Sequence, residues 1–194
     1  AGGRNMKKYI VSGAALIIVL ATAIAFTQIV QSRFTIREIL NGYEEVPSVS
    51  TGAEGVFRAG VSFFTGAVNY ELSYSGLEGS VTQAHIHFGQ ESVNGAVIIW
   101  LCGNAPTAGP PGTQPCPAGS VTISGTITPA DVVGQPVAAN GNAGQGIQPG
   151  EYEEFLRALR AGKTYVNVHT TKFPGGEVRS QIGDNGNGED DRHH

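Results

Sequence analysis

Hydrophobic and polar residues alternate along most of the chain after residue 35, with the period of two that is typical of β-strands. The clearest case is 67–74, where Val68, Tyr70, Leu72 and Tyr74 alternate with polar residues. Similar patterns predict strands at 35–41, 55–59, 61–64, 81–88, 96–101, 120–127, 163–170 and 177–182, with an edge segment at 44–47. The pattern therefore predicts an all-β fold.

Residues 81–101 predict a β-hairpin. In the first strand, Gln83, His85 and His87 point to the same face. Residues 89–95 contain two glycines and an asparagine, as a turn requires. Residues 96–101 form a short apolar run that favours a buried strand. The hairpin therefore places two imidazoles side by side near its bend.

One amphipathic helix is predicted at 151–161. Tyr152, Phe155, Leu156 and Leu159 lie on one stripe, and we expect this stripe to cover one opening of the β-fold. A second helix start is predicted at Thr128 and Pro129, which suit the N-cap and first helical positions. The Gly-rich stretch 134–150 is expected to be an ordered but irregular surface loop.

The N-terminal segment 9–32 carries no charged residue and follows Arg4, Lys7 and Lys8. Its apolar length reaches the roughly 20 residues that a membrane-spanning helix needs. The preceding basic residues place 1–8 in the cytoplasm and the following domain outside it. A cleaved signal peptide, which would make the protein secreted, is the alternative. The acidic, Gly-rich tail 184–194 is expected to be flexible.

Charge and cysteine content narrow the class of protein. The net charge of −4 provides no basic face, so nucleic acid is not expected as a partner. The two cysteines, Cys102 and Cys116, flank a Pro/Gly-rich loop, and an exported domain permits a disulfide between them. A metal-binding pair or two free thiols are the alternatives.

Several motifs carry a resemblance to a known family. They are NGYEEVPSVSTGAEG, AHIHFG followed by NGAVIIWL, TPADVVG, and RAGKTYVNVHTTKFPGGEVRSQI. Together, over residues 35–183, they resemble a chordin-type (CHRD) domain. The resemblance implies an immunoglobulin-like antiparallel β-sandwich in a secreted or surface protein, without an established catalytic activity.

The histidines are the candidate chemistry. His169 lies on the polar face of strand 163–170, so it converges with His85 and His87 if the two strands are neighbours. Three imidazole nitrogens suit copper or zinc. Four further polar residues are candidates for supporting them: Gln83, Asn167, Glu177 and Arg179. A hydrogen-bonded network that only fixes the sheet is the other interpretation.

These observations favour a binding or structural module over an enzyme. The sequence has no nucleophile–base motif and no phosphate-binding glycine loop. The predicted function is a membrane-tethered, non-catalytic module with a protein partner in a membrane or surface assembly. It is expected to need no cofactor. An extracytoplasmic copper or zinc protein that uses His85, His87 and His169 is the alternative.

Overall fold

The structure, a computed structural model, describes residues 36–62, 65–134 and 144–183. The strands in these ranges are β1 (Ile36–Asn41), β2 (Glu54–Val61), β3 (Val68–Ser75), β4 (Val81–Phe88), β5 (Ala96–Gly103), β6 (Val121–Ile127), β7 (Thr164–Thr170) and β8 (Val178–Ile182). The helix α1 (Tyr152–Arg160) lies between β6 and β7 in the chain. The predicted all-β class with one α-helix is confirmed for the described residues.

All eight strands join one antiparallel sheet, in the order β5-β4-β7-β8-β1-β2-β3-β6. The sheet curls until its two edge strands approach each other. Gln114 Nε2 connects these edges, because it donates to Leu101 O on β5 at 3.0 Å and to Ser124 O on β6 at 3.3 Å. The fold is therefore sandwich-like, with a single, nearly closed sheet in place of two separate ones.

The hydrophobic core lies inside this curled sheet. Alternate residues of β3 are buried in it, as the period-two pattern predicts. The predicted helical stripe also packs there, and Phe155 is fully buried. Tyr152 fixes the helix to the strand ends, because its hydroxyl accepts from Val68 N (2.9 Å) and lies 3.1 Å from Ile127 O. Helix α1 therefore covers one end of the β-fold.

Two local predictions are wrong. The separate strands predicted at 55–59 and 61–64 are one strand, β2, because Gly60 continues its pairing with Asn69; residues 63–64 lie outside the described residues. The segment 44–47 is no edge strand. Instead, a 3-10 turn (Gly42–Glu44) leads into a bend, with Gly42 O accepting from Glu45 N and Val49 N.

The helix start predicted at Thr128 and Pro129 is confirmed, with Thr128 as the N-cap and Pro129 as the first helical residue, but the helix is short. Only one 3-10 turn forms there, Pro129–Asp131. The Asp131 carboxylate accepts from Thr128 N (2.8 Å) and Thr128 Oγ1 (2.7 Å), which is a capping arrangement. Two residues later Val133 N donates to Ile98 O on β5, so the chain returns to the sheet before a helix can continue.

Cys102 and Cys116 form a disulfide, with an S–S distance of 2.01 Å. Asn104 orders the loop that the disulfide closes, because its Oδ1 accepts from Cys116 N (3.0 Å) and its Nδ2 donates to Cys116 O (2.8 Å) and Val81 O (3.0 Å). The Pro/Gly-rich segment is thereby fixed to the beginning of β4.

The predictions for residues 1–8, for the anchor 9–32 and for the tail 184–194 fall outside the described residues. The same holds for 135–143 of the predicted surface loop. Within the three described ranges, no helix has the length and apolar character needed to cross a membrane.

Candidate functional site

Polar side chains from neighbouring strands meet on the outer face of β4, β7 and β8, opposite the core. Pairing across the strands produces one row, in which His85 lies beside Trp100 of β5 and Asn167 of β7, and Asn167 lies beside Arg179 of β8. Adjacent pairs of the same face are His87 with Tyr165 and Gln83 with His169. The structure therefore brings the three predicted histidines together.

This outer face is buried because two loops cover it. We call residues 45–46 and 93–95 the roof. The two parts of the roof are joined by Asn94 Nδ2, which donates to Val46 O at 2.8 Å. Arg179 holds the roof to the sheet by donating to Val93 O (2.9 Å) and Asn94 Oδ1 (3.3 Å). As a result the Arg179 side chain, which a strand face would normally expose, is only 2% exposed.

Two register shifts set the position of Trp100. On β5, Leu101 and Ile98 are extra residues, because the partners of His85 and His87 are Trp100 and Val97. Bulges of this kind redirect side chains locally. Trp100 thereby makes an edge contact with the His85 ring, with 4.2 Å between the ring centroids.

The three imidazoles converge closely enough to share one ion. One ligand nitrogen from each ring lies within 4.8 Å of the other two. His85 Nδ1 is 3.2 Å from His169 Nε2. The centroid of the His85 ring lies 5.4 Å from the centroid of the His87 ring and 5.0 Å from that of the His169 ring. All three residues are buried.

Backbone carbonyls fix the tautomers of two rings. His87 Nδ1 lies 3.0 Å from Gly95 O, and His169 Nδ1 lies 3.0 Å from Pro174 O. A carbonyl oxygen can only accept, so both Nδ1 atoms carry the proton and donate. In the neutral rings, Nε2 of both residues therefore keeps its lone pair, which is the form that binds a metal.

Asn167 links this cluster to the roof. Its Oδ1 lies 3.0 Å from His169 Nε2, and its Nδ2 donates to Glu45 Oε1 at 3.5 Å. With Nε2 of His169 as an acceptor, the contact is satisfied only when the Asn167 amide is turned to present its nitrogen. The turned amide presents Oδ1 to Glu45, and that contact requires a protonated carboxyl group.

Burial sets the charge state of these groups. Desolvation, followed by the neighbouring His169 and His87 rings, lowers the pKa of His85 to about 2. Desolvation lowers the pKa of His87 to about 4 and also lowers the pKa of His169. Desolvation raises the pKa of Glu45 to about 7, although the Arg179 charge acts in the opposite direction. At neutral pH the three imidazoles are therefore uncharged.

A stack of three side chains borders the cluster on one side. The Arg179 guanidinium lies 3.4 Å from the centre of the Tyr165 ring, a cation–π contact. The other neighbour of Tyr165 is His87, whose ring is nearly parallel to it at 4.5 Å between centroids. The stack fixes the orientation of the His87 ring and places a buried positive charge two layers from it.

One of the four predicted supporting residues, Glu177, lies away from the imidazoles. Glu177 is fully buried but accepts from Thr51 Oγ1 (3.0 Å), Glu78 N (2.8 Å) and Thr170 Oγ1 (2.7 Å). It therefore anchors two loops to the end of β7 instead of orienting an imidazole. Gln83 is half-buried beside His169. Asn167 and Arg179 lie within the site as described above.

Sequence reasoning missed Glu45, Trp100 and the functions of two turns. Gly95 and Pro174 contribute carbonyl groups, which no side-chain pattern reveals. Gly176 has a φ of +129°, and a Cβ atom there would clash with the Glu45 carboxylate. The turn at 173–176 accepts from the His169 imidazole through Pro174 O and accommodates the Glu45 carboxylate beside Gly176.

The arrangement suits a metal ion with nitrogen ligands. Copper and zinc both accept imidazole, and the outer hydrogen bonds to Gly95 and Pro174 are of the kind that orients metal-binding histidines. The residues also suit a structural network, because Asn167 and His87 already connect the sheet to the roof through Glu45 and Gly95 O. Two buried nitrogens, His85 Nε2 and His87 Nε2, have no hydrogen-bond partner, which favours the ligand interpretation.

Replacing Gly176 by alanine is expected to destabilise the protein. The positive φ alone costs about 1–3 kcal/mol for a residue with a side chain, and the clash displaces Glu45. The matched control is Gly175→Ala, because a Cβ atom there meets nothing within 4 Å. Urea denaturation of both variants measures the difference. Equal stabilities would contradict this assignment of Gly176.

Replacing Glu45 by glutamine is expected to change how stability depends on pH. The pKa of Glu45 is raised from 4.5 to about 7 in the folded protein, so its stabilising effect is complete below pH 4.5 and is lost as the pH rises through 7. Glutamine mimics the protonated form. The stability of the variant relative to wild type should therefore rise by about 3 kcal/mol between pH 4 and pH 8.

Urea midpoints measured at each pH for both proteins give this difference, in which the histidine contributions cancel. Glu44→Gln is the matched control, because Glu44 is exposed. A stability difference that stays constant or falls with rising pH would contradict the burial of a proton on Glu45.

The comparisons with known proteins agree with this architecture. Residues 36–182 match the model of the CHRD domain, which covers most of the chain and all eight strands. No curated protein and no solved structure matches the chain. The chain belongs to the CHRD-domain family.

Proposed function

We propose that the chain is an exported, non-catalytic binding module, tethered to the membrane by residues 9–32 as a subunit of a larger membrane-associated assembly. Its membership of the CHRD family carries this proposal, because domains of this family are extracellular, non-catalytic binding modules. The disulfide between Cys102 and Cys116 supports export, since such bonds persist outside the cytoplasm. The uncharged segment 9–32 supports the tether.

The binding surface that we propose is a depression beside the roof, bordered by residues 43–48 and 91–92. Tyr43 is 72% exposed and borders this depression, which also includes Glu44 and Glu91. An exposed aromatic ring beside carboxylates suits a basic protein segment, because the ring provides contact area and the charges are complementary. The base of the depression is formed by Glu45 and Arg179, which connects it to the buried cluster.

Photo-crosslinking in cells that produce the full chain tests this proposal. A photoreactive residue in place of Tyr43 should yield one discrete adduct in the membrane fraction, released only by detergent. The same residue in place of Glu153, which is exposed on α1, is the matched control and should yield no such adduct. The tether would be refuted if the cells cleaved off 9–32 and the rest of the chain were recovered in the soluble fraction. The binding surface would be refuted if crosslinking from position 43 and from position 153 gave identical results.

The second candidate function is copper or zinc binding. It is favoured by His85, His87 and His169, each of which offers one ligand nitrogen within 4.8 Å of the other two. Metal analysis of the full chain, purified without chelators, should find one copper or zinc ion per molecule. His87→Ala should abolish this content. The matched control replaces the tail residues His193 and His194 by alanine and should retain it; wild-type protein without bound metal would refute this function.

A further inference from the structure

We infer that the cluster of His85, His87 and His169 is a three-coordinate site for one cuprous ion. The inference rests on the second candidate function above and specifies the ion, its charge and its coordination number. Four observations carry it: unpartnered nitrogens, fixed ring orientations, the charge around the cluster, and the number of ligands.

The first observation is the pair of unpartnered nitrogens. In the described part of the chain, four buried side-chain nitrogen or oxygen atoms have no hydrogen-bond partner, and two of them are His85 Nε2 and His87 Nε2. His169 Nε2 carries one lone pair, which lies 3.2 Å from His85 Nδ1 and 3.0 Å from the Asn167 amide, so an ion bound to it replaces both contacts. The neutral ring of His85 also carries one lone pair, on whichever of its two nitrogens is not protonated. The ligand atoms of the cluster are thus buried electron-pair donors.

The second observation is that the rings are held before any ion binds. Gly95 O and Pro174 O accept from the Nδ1 atoms of His87 and His169. Tyr165 stacks on His87, and the edge contact of Trp100 holds His85. Outer contacts of this type orient metal-binding imidazoles and increase their affinity. The cluster therefore loses little ring freedom when it binds an ion.

The third observation is the electrostatic environment. The three ligands are neutral, and none of them is a carboxylate or thiolate. The buried guanidinium of Arg179 stacks on Tyr165, and Tyr165 stacks on the ligand ring of His87, so a positive charge lies close to the cluster. The cost of transferring an ion into a low-dielectric interior grows with the square of its charge, so a monovalent cation is favoured over a divalent one. Among ions that accept imidazole, copper provides a monovalent state.

The fourth observation is the number of ligands. Zinc sites use four ligands, of which water or substrate supplies one in open sites. Among the described residues the cluster contains three histidines and no further His, Cys, Asp or Glu. All three are less than 8% exposed, so access for a fourth ligand from solvent is restricted. A trigonal d¹⁰ ion such as Cu(I) is satisfied by three nitrogens.

Competition titrations of the full chain in detergent, without oxygen, test the inference. Cu(I) is added against a colorimetric cuprous chelator, and Zn(II) is added against a colorimetric zinc chelator. The fluorescence of Trp100 reports on the site, because Trp100 is the only tryptophan of the chain and contacts His85. We expect one equivalent of Cu(I) to quench it and to bind at least about 100-fold more tightly than Zn(II), which is as large as the effect that outer contacts have on metal affinity.

Two variants connect the result to the cluster. His87→Phe retains a ring on Tyr165 but removes the ligand, and should weaken Cu(I) binding by more than the about 100-fold that loss of an outer contact causes. The double variant His193→Ala/His194→Ala should bind as wild type does. The wild-type titration decides the preference for Cu(I) even if His87→Phe does not fold.

The outcomes separate the two proposals. One equivalent of Zn(II) or Cu(II), bound at least as tightly as Cu(I) and lost in His87→Phe, would overturn the cuprous assignment and leave metal binding intact. No quenching and no bound ion of any kind would overturn both. Binding that is lost only in the tail variant would also overturn both, because it would place the ion on His193 and His194.

Discussion

The burial of a polar sheet face is the constraint on which this domain depends. Strands β4, β7 and β8 contribute apolar residues to the core on one side and histidine, asparagine and arginine on the other. A sheet of this type can expose its polar face to water, but here the roof removes water from it. Every donor and acceptor on the face must then find a partner within the protein, since an unsatisfied buried group costs about 1–3 kcal/mol.

Arg179 shows how the constraint is met. A buried guanidinium usually needs a carboxylate beside it, but the nearby Glu45 holds a proton to about pH 7. Arg179 instead uses Val93 O, Asn94 Oδ1 and the face of Tyr165. These contacts are also the ones that attach the roof to the sheet. The roof thus compensates the buried arginine, and the arginine helps to attach the roof to the sheet.

The sequence could predict the features that follow from strand alternation, but not those that depend on the roof. The shared face of His85 and His87 follows from a period of two, and His169 joins them because β4 and β7 are neighbours. The roof could not be predicted, because residues 45–46 and 93–95 are distant in sequence and contribute mainly backbone groups. Trp100 was placed on a buried strand, but the two bulges that bring it against His85 leave no mark in the alternation.

Glu177 illustrates the opposite error. Its position next to Arg179 in the period-two pattern predicted a contact with the imidazoles, yet it precedes β8 and turns toward Thr51, Glu78 and Thr170. Alternation predicts the side of a strand but not where a strand begins. A carboxylate one residue before the first ladder pair is therefore free to serve a loop, and the site loses the anionic neighbour that the sequence had assigned to it.

The absence of that anion matters for the choice between a structural network and a ligand site. A structural network would be expected to satisfy its own members, as Asn104 and Glu177 do elsewhere in the domain. The histidine cluster does not, because two of its nitrogens lie buried without partners. Apolar side chains of similar size would fill the same space without this cost. The proposed ion site accounts for a cluster that keeps three preoriented electron-pair donors in a neutral, dry setting.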